Sequence, residues 1–314
     1  MKGKIGRVIA LLTAVALTLC GCHSLVEDDS VQKTIYASFF PIYLLAREVI
    51  SDVPGMTLKC LVQSQDGCLR SYQLSDWDSA VIMSADALII GGRGLESFES
   101  TVTSLGAQGP SVVVAMDALE LTGQDTAATR GDELESHLDG ANPWLFLSPE
   151  GASQIMESIA ANMIYLDPAY EGMYAENLIN AQQRMDELLI NMTGEISGVQ
   201  VEPVGLMHEG LSYFADCLGL YVGAVVDREP GVELIESELD SAIESLEAGG
   251  VRVVLLEKQA PSAMVDALTQ AGFSVARIDT FSTYPTGNID DGYYYDAMLE
   301  NALAVKNAFE QAAR

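Results

Sequence analysis

Short apolar runs alternate with helical patterns along most of the chain. Eight runs have the length and the β-branched content of strands: residues 34–40, 56–62, 85–92, 111–117, 203–209, 221–227, 251–259 and 274–281. Segments with apolar residues at helical spacing lie between them, such as IYLLAREVI and PSAMVDALTQAG. Near-continuous apolar strands that alternate with helices form parallel sheets covered on both faces. The pattern therefore predicts an α/β fold with two lobes, each a mainly parallel four-stranded sheet flanked by helices.

The middle of the chain predicts one long helix between these lobes. Apolar residues recur at helical spacing after Asp167, and Pro168 suits the first turn of a helix. A helix of about 28 residues spans about 40 Å, so it acts as a rigid linker. We expect these boundaries: an N-terminal lobe over 34–168, a linker helix over 169–197 and a C-terminal lobe over 198–314.

Residues 1–22 predict an export signal. A basic start, MKGKIGR, precedes a short apolar block and the sequence LCGC. Leu-x-Gly-Cys at this place resembles the bacterial lipoprotein processing site, which implies cleavage before Cys22 and lipid on its thiol. Ordinary secretion is the alternative. Residues 23–33 would then be a polar tether, and the protein would be lipid-anchored at the cell surface or on the periplasmic side of the cytoplasmic membrane.

The charge of the chain limits the classes of partner. The net charge is −29, with 45 acidic residues against 16 Lys and Arg. Such a field repels nucleic acids, so we exclude DNA and RNA as partners. It weakly favours cations, although solubility at a cell surface explains the composition equally well.

Polar side chains follow three apolar runs of the second half. His208 ends the fifth run, Glu257 the seventh and Asp279 the eighth. In parallel α/β sheets, ligands bind beyond the carboxyl ends of the strands, so these side chains are expected at one edge. A neutral imidazole with carboxylates is a partial shell for Zn²⁺ or Mn²⁺. A buried histidine satisfied by the backbone is the alternative.

Catalytic motifs give little support to an enzyme. The sequence contains no G-x-S-x-G elbow, no H-E-x-x-H, no P-loop and no complete G-x-G-x-x-G after a strand. A pair of His208 and Asp279 could orient a base for Cys68, but nothing else in the sequence supports this arrangement. We therefore expect a binding protein rather than an enzyme.

Several stretches resemble the zinc/manganese-type solute-binding lipoproteins of bacterial ABC importers, the cluster A-I or TroA-like group. The stretches are TIYASFFPIYLLAREVI, SADALIIGGRGLESF, MHEGLSYFADCLGL, VVLLEKQ, ARIDTF and DGYYYDAMLENALAVKNAF. The resemblance covers about residues 34–309. It implies capture of a divalent cation, Zn²⁺ or Mn²⁺, between two lobes and its delivery to an ABC permease in the membrane by a monomeric binding protein.

The resemblance also implies a metal site of three histidines and one carboxylate, which this chain matches only in part. Arg70 and Trp144 stand where the family has its first and second histidines. His208 matches the third and Asp279 the carboxylate, while Glu257 matches a glutamate near the site. A guanidinium has no lone pair for a metal and stays charged, so Arg70 should repel a cation and pair with Asp279 or Glu257 instead.

Three hypotheses follow from this degenerate metal site. The protein could be an importer component that holds another ligand, such as a metal complex or a small anionic or aromatic molecule, through Arg70 and Trp144. It could still bind a divalent metal through His208, Asp279 and Glu257, with Cys68 as a further cleft residue. It could also be a non-transport surface lipoprotein, an adhesin or an accessory protein, with a salt-bridged cleft.

Overall fold

Each half of the chain builds one four-stranded parallel sheet. The structure is a computed structural model that describes residues 32–63, 69–120, 142–226, 228 and 233–314. The first half contains β1 (Lys33–Ala37), α1 (Phe40–Ile50), β2 (Met56–Cys60), α2 (Asp76–Met83), β3 (Ala87–Ile90), α3 (Glu99–Thr103), β4 (Ser111–Val114) and α4 (Pro149–Leu166). The second half contains α5 (Glu171–Ile196), β5 (Val204–Leu206), α6 (Ser212–Cys217), β6 (Val222–Val225), α7 (Glu236–Ala248), β7 (Val253–Glu257), α8 (Ser262–Gln270), β8 (Ser274–Ile278) and α9 (Tyr293–Ala312).

The two sheets share one strand order. It is β2-β1-β3-β4 in the N-terminal lobe and β6-β5-β7-β8 in the C-terminal lobe, and every pairing is parallel. All residues of β3 and β7 are buried, as expected for central strands covered on both faces by helices. The predicted fold class is confirmed. The same order in both lobes places the carboxyl ends of β5, β6, β7 and β8 along one edge of the second sheet.

The long helix α5 spans Glu171–Ile196. Pro168–Tyr170 form a 3-10 turn before it rather than its first α-helical turn, so the helix is slightly shorter than the 169–197 predicted. Its buried face includes Tyr174, Ala181, Met185, Leu188 and Met192, which pack in the common hydrophobic core. The helix contacts α1 and α4 on one side and α9 on the other, so it links elements of both lobes.

Several sequence predictions fall outside the described residues. The export signal with Cys22, most of the tether and Cys68 belong to this group. Cys60 is buried, and its thiol donates to Val62 O at 3.2 Å. Among the helices that the structure describes, none is long and apolar enough to cross a membrane.

Candidate functional site

His208 lies directly after β5, at the carboxyl edge of the second sheet. Its backbone is extended, with φ of −163°, and it caps the 3-10 turn Glu209–Leu211. The imidazole Nδ1 accepts the N–H of Gly210 at 3.0 Å, and only 1% of the residue is exposed. The histidine therefore lies at the strand end expected of a metal ligand and also has the backbone hydrogen bond expected of a buried histidine. Its position does not separate these two interpretations.

Trp144 of the N-terminal lobe packs against this histidine. The ring centroids of Trp144 and His208 lie 4.5 Å apart at 77°, an edge-to-face contact. The side chain of Asn142 accepts the backbone N–H of Trp144 at 3.0 Å and so fixes the turn that presents the indole. Gly210 completes the contact, because a Cβ there would lie 2.5 Å from Trp144 Cγ and 2.6 Å from His208 Nδ1.

Arg70 of the N-terminal lobe forms an ion pair with Glu209. Its Nη2 lies 2.6 Å from Glu209 Oε1, and 16% and 13% of the two side chains are exposed. The prediction that Arg70 pairs with Asp279 or Glu257 is therefore wrong. Glu209 is the nearer carboxylate because the 3-10 turn after His208 carries it towards the N-terminal lobe, whereas the other two carboxylates are held by cations of their own lobe.

Asn142 joins the same segment through two further hydrogen bonds. Its Nδ2 donates to Glu209 O at 3.0 Å, and its own carbonyl accepts the hydroxyl of Tyr213 at 3.0 Å. Arg70, Asn142 and Trp144 thus meet residues 208–213 of the other lobe in one continuous set of contacts. We call this set the interlobe contact.

Glu257 forms a buried ion pair with Arg228. Glu257 Oε1 accepts from Arg228 Nη2, and 2% of the arginine side chain and 1% of the glutamate side chain are exposed. Sequence reasoning missed Arg228, although it follows the sixth apolar run at the carboxyl end of β6. The strand-end rule that selected Glu257 would have found it if it had been applied to that run.

Asp279 follows β8 and is held on both its backbone and its side chain. Asn301 of α9 accepts its N–H at 2.7 Å and donates to its carbonyl at 2.9 Å. Its Oδ1 accepts the N–H of Phe281 at 2.9 Å, and Lys258 Nζ lies 3.3 Å from its Oδ2. Phe281 has a φ of +55°, a conformation that a bulky residue adopts only when its surroundings impose it. The carboxylate is therefore fixed and paired with a cation.

The electrostatic surroundings keep His208 neutral. Burial lowers the pKa of the imidazole well below its usual 6.5, and the positive charges of Arg70 and Arg228 lower it further. Both guanidiniums are thus close enough to influence the ring. A neutral imidazole is the form that binds metals, but two cations beside it oppose the approach of a third.

The structure brings three of the predicted residues together and pairs the two carboxylates with cations. Trp144, Arg70 and His208 meet in the interlobe contact, whereas Glu257 and Asp279 are paired with Arg228 and Lys258. Within the ranges given above for the structure, no three His, Cys, Asp or Glu side chains form a group able to hold a metal ion. Cys68 lies outside those ranges.

Three solved structures of bacterial proteins that bind or transport metals have the same fold. The solute-binding protein FpvC of Pseudomonas aeruginosa, solved with Ni²⁺, has a TM-score of 0.74 and 21% identity over 89% of this chain and 97% of its own. The laminin-binding protein Lmb of Streptococcus agalactiae, described as a bifunctional protein with adhesin and metal transporting activity, has a TM-score of 0.70 and 19% identity over 88% and 99%. A Zn(II)-bound variant of AdcAII of Streptococcus pneumoniae has a TM-score of 0.72 and 20% identity over 89% and 99%.

The family comparison covers almost all of the described structure. No curated protein sequence matches the chain. The family model for ZnuA, the periplasmic component A of the zinc-uptake complex, matches residues 35–308. The two lobes, the long helix and the strand-end position of His208 agree with this match. The chain belongs to the ZnuA family.

Proposed function

We propose that this chain is the extracytoplasmic, lipid-anchored binding protein of a metal-type ABC importer, with a divalent-metal site that has been altered. The observation that carries the proposal is the interlobe contact, in which Arg70 pairs with Glu209 and Trp144 packs on His208. These two residues stand at the positions that the family resemblance assigns to metal-binding histidines. Side chains of the protein therefore occupy the place where a cation would be bound.

The charges around His208 support an altered site. A divalent cation would bring two positive charges to the carboxylates of such a site, and here two guanidiniums do so. Arg228 neutralises Glu257, and Arg70 neutralises Glu209. Neither guanidinium has a lone pair for a metal. A metal would have to displace these pairs against the repulsion of both arginines.

Calorimetry with Zn²⁺ and Mn²⁺ on chelator-treated protein tests this proposal. We expect the wild type to bind neither ion at micromolar concentration. The double variant Arg70→His, Trp144→His should gain binding, because it restores two imidazoles beside His208 and removes one guanidinium. A matched control is Arg252→His with Trp77→His, which makes the same exchanges at exposed positions, with Trp77 76% exposed.

Two results would contradict the altered site or the role of the interlobe contact. Micromolar binding of either metal by the wild type would contradict an altered site. Equal gains in the double variant and the control would show that added surface histidines, rather than the interlobe contact, bind the ion.

A non-transport surface lipoprotein is the second candidate function, and the ion pair and ring contact that join the lobes favour it. Lmb, described as having adhesin and metal transporting activity, combines both roles on this fold. Purified protein applied to vesicles that contain the cognate permease and to immobilised laminin distinguishes the candidates. Binding to the vesicles alone supports the importer, and binding to laminin alone supports the adhesin.

A further inference from the structure

Two buried N–H donors of the interlobe contact have no acceptor. Among the residues that the structure describes, neither Trp144 Nε1 nor Arg70 Nε has a hydrogen-bond partner. Trp144 is fully buried, and its ring lies against His208. Buried polar groups are nearly always hydrogen-bonded, so two unpaired donors on the same side of one contact require an explanation. A ligand with acceptor atoms supplies one.

His208 adds a third donor to this group. Its Nδ1 accepts the Gly210 N–H, which assigns the proton of the neutral ring to Nε2. In this tautomer, Nε2 offers a proton rather than a lone pair. Arg70, Trp144 and His208 therefore all present N–H groups where the family resemblance places metal-binding nitrogen lone pairs.

The nearby carboxylates do not cancel this donor character. Glu257 is held by Arg228, and Asp279 by Lys258 and the Phe281 amide. Glu209 contacts Arg70 through Nη2 and Oε1. It comes from the lobe opposite Arg70, so opening of the lobes would separate the two groups. The Glu209 carboxylate thus occupies the place of an anionic ligand group in the closed arrangement.

We infer that this site, where the family binds a cation, presents hydrogen-bond donors in this protein and binds a small oxyanion, such as a carboxylate or a phosphate. The oxyanion would displace the Glu209 carboxylate from Arg70. The ligand oxygens accept from Arg70, Trp144 Nε1 and His208 Nε2. When no ligand is bound, the Glu209 carboxylate contacts Arg70 in its place. This inference rests on the proposed function, since it names the ligand class of the same altered site.

Calorimetry and thermal shift with acetate, succinate and inorganic phosphate test the inference on the full mature protein. Glu209→Gln removes the competing charge from Arg70 and should bind at least one probe roughly tenfold more tightly than the wild type. Trp144→Phe keeps an aromatic ring but deletes the N–H, and added to Glu209→Gln it should weaken binding several-fold. Trp77→Phe is the matched control and should leave binding unchanged. The probe with the largest effect distinguishes a carboxylate from a phosphate ligand.

Two results would overturn the inference. One is the absence of binding by both the wild type and Glu209→Gln at about 50 mM of each probe, well above the millimolar Kd of a weak ligand, with near-UV circular dichroism showing folded protein. The other is unchanged affinity in the Trp144→Phe variants. If no metal binds either, the proposed loss of metal capture still stands. Micromolar Zn²⁺ binding by the wild type would instead overturn the proposed function itself.

Discussion

The two sides of the interlobe contact differ in how they match the metal site that the family resemblance implies. On the N-terminal side, Arg70 and Trp144 stand at the positions of the expected histidines. On the C-terminal side, His208, Glu257 and Asp279 are present, yet each carboxylate is paired with a cation of its own lobe. By this resemblance, one lobe has other residues at the ligand positions, while the other has the expected residues with their carboxylates paired to protein cations.

Under the proposed function, residue identity alone is a poor guide to metal binding, because the partners of each side chain matter as well. Glu257 is a potential ligand by residue type, but a buried carboxylate needs a counter-charge, and Arg228 provides it permanently. The N-terminal side then supplies a second guanidinium through Arg70. Together the two arginines carry the charge of a divalent ion, so the lobes can close without one.

The largest expected effect tests whether Arg228 is the counter-charge of Glu257. Arg228→Met leaves Glu257 buried without its cation and should lower the free energy of unfolding by about 3–5 kcal/mol, measured by chemical denaturation. Replacing the whole pair, as Arg228→Met with Glu257→Leu, should recover most of this loss, because the desolvation cost of both charges disappears.

An exposed ion pair gives the control for that experiment. Lys306 and Glu195 lie 3.0 Å apart with about a third of each side chain exposed. Lys306→Met should cost much less than Arg228→Met, because solvent screens such pairs. If Arg228→Met costs no more than this control, then Arg228 is not the counter-charge of Glu257 and the contrast between the two sides fails.

The next largest loss of stability tests the close packing of Gly210 against Trp144 and His208. Gly210→Ala places a methyl group 2.5 Å from Trp144 Cγ and 2.6 Å from two atoms of His208. The rings must separate, and we expect a loss of about 1–3 kcal/mol. Gly194→Ala is the control, since its Cβ meets no atom within 4 Å on an exposed part of α5. It should stabilise the helix by up to about 1 kcal/mol. Equal changes in both variants would show that the rings are not in contact.

The fold could be predicted from the sequence because its signals are local. The run VRVVLLEKQ is apolar over the length of a strand, and β7 occupies its centre as a fully buried strand. The helical period after Asp167 likewise gave α5 to within two residues. Only the first turn differed, because the chain after Asp167 begins with a 3-10 turn at Pro168.

The partners of the site residues could not be predicted in the same way. Arg70 and Glu209 are 139 positions apart, and their contact depends on how the two lobes meet. The strand-end rule placed Glu257 and Asp279 at one edge but could not tell which cation reaches each carboxylate. Arg228 escaped notice because it follows β6, whose end was not considered. Side-chain pairing between lobes is set by tertiary geometry, which no local pattern encodes.

The smallest expected effect is a pH dependence that originates at His208. Its pKa is lowered in the folded protein, so below about pH 6.5 the unfolded chain binds a proton that the folded chain does not. Stability from this group is therefore present above that pH and lost as the pH falls. Between pH 7 and 5.5, the wild type should lose about 1 kcal/mol relative to His208→Gln in paired denaturation curves.

Glu96 of the N-terminal lobe provides a comparison of opposite sign. Burial raises its pKa to about 7, while Ser38 Oγ and the amides of Gly91 and Gly92 donate to its carboxylate. Between its usual pKa and about pH 7, the folded protein binds the extra proton, so this group stabilises the fold as the pH falls. The wild type should therefore gain about 1 kcal/mol relative to Glu96→Gln over the same interval. If the His208 and Glu96 differences have the same sign, the imidazole is charged in the folded protein, and Arg70 and Arg228 cannot both lie close to it.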